Sequence, residues 1–221
     1  MSDDIEDIET DDYEMTEADY EAAEQAYADG TIARQEEEYR KEFDALCVRA
    51  REKAELALQS ASLKDPSIAA LRSRKWLYAE AFTVMAISAD DILICPDSVM
   101  PMDIAQVEVI LRHEWGHVVL GHGERGKAFV AEMNDPDNAK IWKSAFNCGA
   151  DLEINSGLIQ EIVAAGLRDE CFLPGYGSCT TFPPGLKAEE YARLVMADQD
   201  LVHAMEWHAL AVMKPKTAAP A

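Results

Sequence analysis

One five-residue stretch constrains this chain more than any other. It is His113-Glu114-Trp115-Gly116-His117, an H-E-x-x-H pattern inside the apolar run from Val107 to Leu120. Residues four apart on a helix lie on one face, one turn above each other. His113 and His117 therefore aim two imidazoles at one point. Zinc suits such a pair, because it accepts neutral imidazole, takes few protein ligands and leaves a position for water. Glu114 points to the side of the pair, where a carboxylate can take a proton from that water, as in metallopeptidases. With five His in 221 residues, chance supplies this pattern in about one chain in a hundred of this composition. The flanks read as helix. Asp103 and Gln106 form an N-cap with its capping-box partner, Pro101 precedes them, and Gly121 supplies a stop. The predicted span is about 104–120.

Charge separates the chain into two regions. Residues 1–44 hold 18 Asp and Glu against three Lys and Arg, a net of −15 out of −22. Such a balance excludes nucleic acid and anionic membrane as main partners, since phosphate binding needs Lys and Arg. The acidic segment offers a contact to a basic partner, although most charge runs are solvated faces. No run approaches 18 apolar residues, so no membrane span is expected. The start, Met1-Ser2-Asp3-Asp4, is no signal peptide. Five Cys (47, 95, 148, 171 and 179) without C-x-x-C point to reduced thiols in a cytoplasmic protein.

In chain order, residues 1–20 read as disordered or loosely helical, and residues 1–35 as an acidic extension to a domain over 36–221. From Thr16 to Ser60 one amphipathic helix is expected, with Phe43, Leu46, Cys47, Ala50, Ala54 and Leu58 as its stripe. Asp65-Pro66 marks a turn. Trp76–Ser88 and Ile92–Pro96 read as two strands joined at Ala89-Asp90-Asp91, a hairpin ahead of the motif helix. Its edge would accept an extended peptide as an added strand. His122 to Asp135 reads as a polar connector, and Asp137 to Asn155 as a helix ending near Ser156-Gly157. A further helical piece covers Leu158–Ala165. Cys171 to Gly185, rich in Gly and Pro, is a structured loop. Ala188 to Met213 is a final helix. The pattern predicts an α+β domain, mostly helical, with a small hairpin or sheet beside the metal-binding helix.

A catalytic zinc site normally has a third protein ligand. Three residues are candidates. Asp151 stands mid-helix on a polar stripe with Ser144, Asn147 and Asn155, where a lone carboxylate is costly unless paired or metal-bound. His122 is nine residues beyond His113, on the opposite face if the helix continues. It falls one residue short of H-E-x-x-H-x-x-G-x-x-H spacing. Glu153 is two residues from Asp151 and on a different face. For stabilising an oxyanion the candidates are Tyr176, His203 and His208.

At these residues the sequence resembles a bacterial and phage metallopeptidase domain that often precedes a von Willebrand factor A-like domain. The resemblance rests on His113 to His117 with Leu120-Gly121-His122, on Ala150-Asp151-Leu152-Glu153-Ile154-Asn155, and on Leu173-Pro174-Gly175 followed by Ala188-Glu189-Glu190-Tyr191. Ile92 to Pro96 matches the strand before the helix. It covers about residues 70–195. It implies a zincin-like fold with Asp151 as third ligand, by its place in the Ala-Asp-x-x-Ile-Asn pattern. The expected function is zinc-dependent hydrolysis of a protein or peptide substrate, with Glu114 as general base. A non-catalytic zinc-binding assembly module with an acidic tail is the alternative. Glu114 argues against it, because a structural site needs no carboxylate there.

Overall fold

The computed structural model describes residues 16–28, 30–79, 84–88, 90–169, 171–198 and 201–202. It divides into two compact units, residues 1–45 and 46–221. In the first, helix α1 (Glu17–Ala28) is separated from helix α2 (Thr31–Lys64) by Gly30, whose φ of +75° interrupts the helical path. The one helix expected from Thr16 to Ser60 is therefore two. Tyr39 stacks on Phe43 in this unit, with ring centroids 6.4 Å apart.

In the second unit, α2 buries Ala50, Ala54, Ala57, Leu58 and Ala61 on one face. That face joins a core with Ile68, Leu71, Met85, Ile92, Ile94, Val107 and Leu111. Asp65 accepts a hydrogen bond from the Ser67 N–H at 2.9 Å, and a 3-10 segment, Pro66–Ser73, begins there. Three strands follow, β1 (Lys75–Tyr78), β2 (Met85–Ile87) and β3 (Asp91–Ile94), in the spatial order β1-β3-β2. β2 and β3 form the expected hairpin, with Met85 opposite Ile94 and Ile87 opposite Ile92. β1 pairs parallel with β3, Trp76 opposite Ile92, so the single strand expected over Trp76–Ser88 is two strands, one on each side of β3. In β1, Trp76, Leu77 and Tyr78 are all half-buried, so period-two alternation was not there to find. Central β3 does alternate, and it buries Ile92 and Ile94 completely.

After short helix α3 (Pro96–Val99) comes the motif helix α4 (Ile104–Val119). Its capping box forms as expected. Asp103 Oδ1 accepts from the Gln106 N–H at 2.8 Å, and Gln106 Oε1 from the Asp103 N–H at 3.0 Å. β2 packs against it. The chain turns at Gly121, φ +65°, and starts helix α5 (His122–Met133) directly. The expected polar connector is thus a helix. It buries only His122 and Phe129, too few apolar residues to show a period.

Helix α6 (Ala139–Ala164) passes unbroken through Ser156-Gly157, where an end was expected. Leu158 and Ile162 continue its buried stripe, and packing outweighs the weak helix propensity of Gly157. A loop with a 3-10 turn at Gly177–Cys179 leads to helix α7 (Ala188–Ala197). α7 ends at Ala197, and Leu201 and Val202 are helical again beyond it. Asp198 follows α7, and its side chain accepts from the Leu201 N–H at 3.1 Å. Residues 203–213 of the helix expected over Ala188–Met213 lie outside the described residues.

The architecture is α+β and mostly helical, with one small three-stranded sheet. α5, α6 and α7 share a second core around Phe129, Phe146, Leu152 and Tyr191. A third, with Val109, Ile154, Leu158 and Ile162, lies between α4 and α6. Among the described residues no helix is long and apolar enough to cross a membrane.

Candidate metal centre

Two crossing helices supply the residues. α4 presents His113 and His117 one turn apart, and α6 presents Asp151 and Asn155 one turn apart. At the crossing, His113 Nε2 and His117 Nε2 lie 3.1 Å apart. Asp151 Oδ1 is 3.4 Å from the first and 3.2 Å from the second. In a tetrahedron with bonds of about 2.0–2.1 Å, two ligand atoms stand about 3.3–3.4 Å apart. Three donors at these spacings fit one metal ion. Two imidazoles and one carboxylate are also the donor types such an ion accepts. All three side chains are half-buried, and His113 and Asp151 line a cleft.

The electrostatics of the three side chains reflect this crowding. Burial acts to raise the Asp151 pKa, but hydrogen bonds and charge from His113 and His117 hold it at about 2. Burial acts to lower the His113 pKa, but Asp151, Glu114 and Asn155 carry it above its usual value. Glu114 is shifted upward, chiefly by burial, against the opposing pull of the two His and a backbone hydrogen bond from Ile87 in β2.

Each imidazole has a partner on its other nitrogen. His113 Nδ1 lies 2.7 Å from Asn155 Oδ1, and Asn155 Nδ2 donates to the Phe172 carbonyl at 2.8 Å. His117 Nδ1 lies 3.1 Å from His122 Nδ1, and His122 Nε2 lies 3.1 Å from Glu153 Oε2. Glu153 also faces Arg125 at 3.0 Å and Lys187 at 3.2 Å, and accepts from the Ala188 N–H at 2.9 Å. It is held at about 2, because these donors together outweigh its burial. Burial shifts His122 downward.

The cluster opens into a cleft of about 670 Å³ whose lining includes His113, Glu114, Asp151, Val109, Ile110 and Leu167. Of the candidates from the sequence, His113, His117 and Asp151 come together, with Glu114 beside them. His122 and Glu153 do not join the three donor atoms; they meet each other behind His117. Tyr176 lines a neighbouring hollow with Arg168, Ser178 and Thr180, which shares Cys171 and Phe172 with the cleft. His203 and His208 lie outside the described residues.

The sequence reading had no role for Asn155 as a partner of His113. Its signal was its position four residues after Asp151, on the same polar stripe. No sequence signal could have aimed His122, because the left-handed turn at Gly121 redirects it.

No curated protein and no solved structure matches the chain. One family model does, over residues 49–201. That span holds both crossing helices, the three-stranded sheet and the loop up to α7. The chain belongs to the family described as "Putative metallopeptidase domain".

Proposed function

We propose that this chain is a zinc-dependent metallopeptidase of the H-E-x-x-H type with a zincin-like domain. In this reading His113, His117 and Asp151 hold Zn²⁺, and Glu114 is the general base. One observation carries it: three donor atoms at 3.1–3.4 Å from one another, with Glu114 beside them at a cleft. Zinc, when bound, lowers the pKa of water to about 7 and polarises a carbonyl.

The chain's own residues supply the rest. Glu114 accepts a proton from the attacking water at its carboxylate. It then returns that proton to the amine nitrogen as the C–N bond breaks. Its upward-shifted pKa brings it closer to the range in which a base works near neutral pH. The Ile87 backbone of β2 favours the charged form of that carboxylate. Val109, Ile110 and Leu167 give the cleft apolar walls against which substrate side chains pack. The substrate is a protein or peptide.

Metal analysis of the purified chain and of Glu114→Gln tests this, together with cleavage of a mixed peptide library. One zinc per chain is expected in both proteins, with cleavage in the variant lower by at least about 100-fold. A parent protein that takes up no metal overturns the reading. A zinc-loaded parent that cleaves nothing favours a non-catalytic zinc-binding assembly module.

A further inference from the structure

We infer that His122 and Glu153 are positioning residues for His117, fixing which of its ring nitrogens faces the metal centre. The inference rests on the metal-site reading above. It starts at Glu153, where four donors converge: the Ala188 N–H, His122, Arg125 and Lys187. An ionised carboxylate only accepts hydrogen bonds. His122 Nε2, 3.1 Å from Glu153 Oε2, must therefore carry a proton and donate it.

His122 is 4% exposed, and Arg125 reaches the same Glu153 carboxylate. The neutral ring suits that place, so Nδ1 is left with a lone pair. His117 Nδ1, 3.1 Å away, must then donate to it. That leaves His117 Nε2 bare, at the corner it shares with His113 Nε2 and Asp151 Oδ1. The reverse tautomer of His122 would set an imidazole lone pair against the Glu153 carboxylate.

His113 reaches the same state by a shorter route. The Phe172 carbonyl can only accept, so it orients the Asn155 amide, and Asn155 Oδ1 is left to accept from His113 Nδ1. The His117 branch is longer and is rooted in another helix. Arg125 bridges Glu153 and Glu189, its Nε donating to Glu189 Oε1 at 2.8 Å, and the Ala188 N–H at the start of α7 holds Glu153. The packing of α7 on α6 thereby reaches the orientation of a metal-facing imidazole. Outer partners of this kind fix the tautomer and ring angle of a ligating His.

Two variants and one spectrum test it. His122→Phe keeps a ring against Phe146, whose centroid lies 6.2 Å from that of His122, but offers His117 no acceptor. His122→Asn restores an amide oxygen near the position of Nδ1. In competition against a chromogenic chelator with Zn²⁺ alone, His122→Phe should bind roughly 10–100-fold more weakly than the parent. His122→Asn should recover most of that loss. Independently of any variant's folding, nitrogen-15 shifts of the parent's imidazoles should show His122 protonated on Nε2 and bare on Nδ1. Parent-like zinc affinity in His122→Phe, or a His122 proton on Nδ1, overturns the inference. A parent that takes up no Zn²⁺ instead overturns the metal-site reading beneath it.

Discussion

Gly116 lies between His113 and His117, the two His of the proposed metal site, where α4 meets α6. A Cβ built on it would stand 3.0 Å from Ile154 Cγ1 and Cγ2. Ile154 follows Asp151 by three residues, about one turn along α6, so the missing side chain is what lets the carboxylate approach the imidazoles. Gly116→Ala should push Ile154 outward and open the 3.2–3.4 Å spacings of Asp151. The expected result is zinc affinity lower by about tenfold and stability lower by about 1–3 kcal/mol. Chelator competition and urea unfolding read the two separately, and unchanged affinity would show that Gly116 does not set the approach. Asp151→Ala should go further. In the proposed site it removes a ligand rather than moving one, so zinc binding should fall by more than the roughly 10–100-fold typical of an outer partner. Peptide cleavage should fall in parallel; in Glu114→Gln, cleavage should fall while zinc stays. An Asp151→Ala protein that titrates zinc like its parent would return the third position to other residues. The pair of His was legible because i, i+4 spacing on one helix is a local property. Asn155 was half legible, by its spacing from Asp151. His122 was not, because a single φ of +65° at Gly121 decides where it points.

Elements read well where their signals were local. α4 spans Ile104–Val119 against a predicted 104–120, because its capping box stands in the sequence. The β2–β3 hairpin was legible from its turn. α5, the continuity of α6 and the division of the expected strand Trp76–Ser88 into β1 and β2 were not, since tertiary packing decides each of them. The joint between α2 and α4 is of the same kind. Glu108 of α4 is 4% exposed, accepts from Ser60 Oγ at 2.6 Å, and pairs with Lys64 Nζ at 2.6 Å. Burial acts to raise its pKa, but Lys64, Ser60 and Arg112 leave it below the usual carboxylate range. A carboxylate depressed on folding adds stability that is fully present above its unfolded pKa of about 4.3 and is lost as pH falls through the folded value. Glu108→Gln should therefore be less stable than the parent at pH 7, by about 1–3 kcal/mol. The gap should close as the pH drops below about 4.3. Urea midpoints measured across that range decide it, and a gap independent of pH would mean that packing, not charge, makes the joint.

For the molecule as a whole, the question is how much of the chain the folded domain requires. The family match begins at residue 49, and among the described residues the first buried one is Cys47. Ahead of it, α1 and the start of α2 bury no described residue, so hydrophobic burial gives the domain little reason to need them. Residues 1–35 carry 13 of the acidic residues and one Arg, so removing them takes the net charge from −22 to −10. That relieves self-repulsion without removing core. A chain of residues 36–221 should fold, unfold cooperatively, and hold one zinc per chain. Its Tm should lie within about 2–4 °C of the parent's, the shift expected of a change near 1 kcal/mol in a domain of this size. Raising the ionic strength should stabilise the full chain more than the shortened one, because salt screens the acidic segment that only the full chain has. Thermal unfolding at low and high salt, with metal analysis of both proteins, checks all of this. If the shortened chain melts without a cooperative transition, the acidic segment is part of the fold, and the domain starts earlier than residue 36.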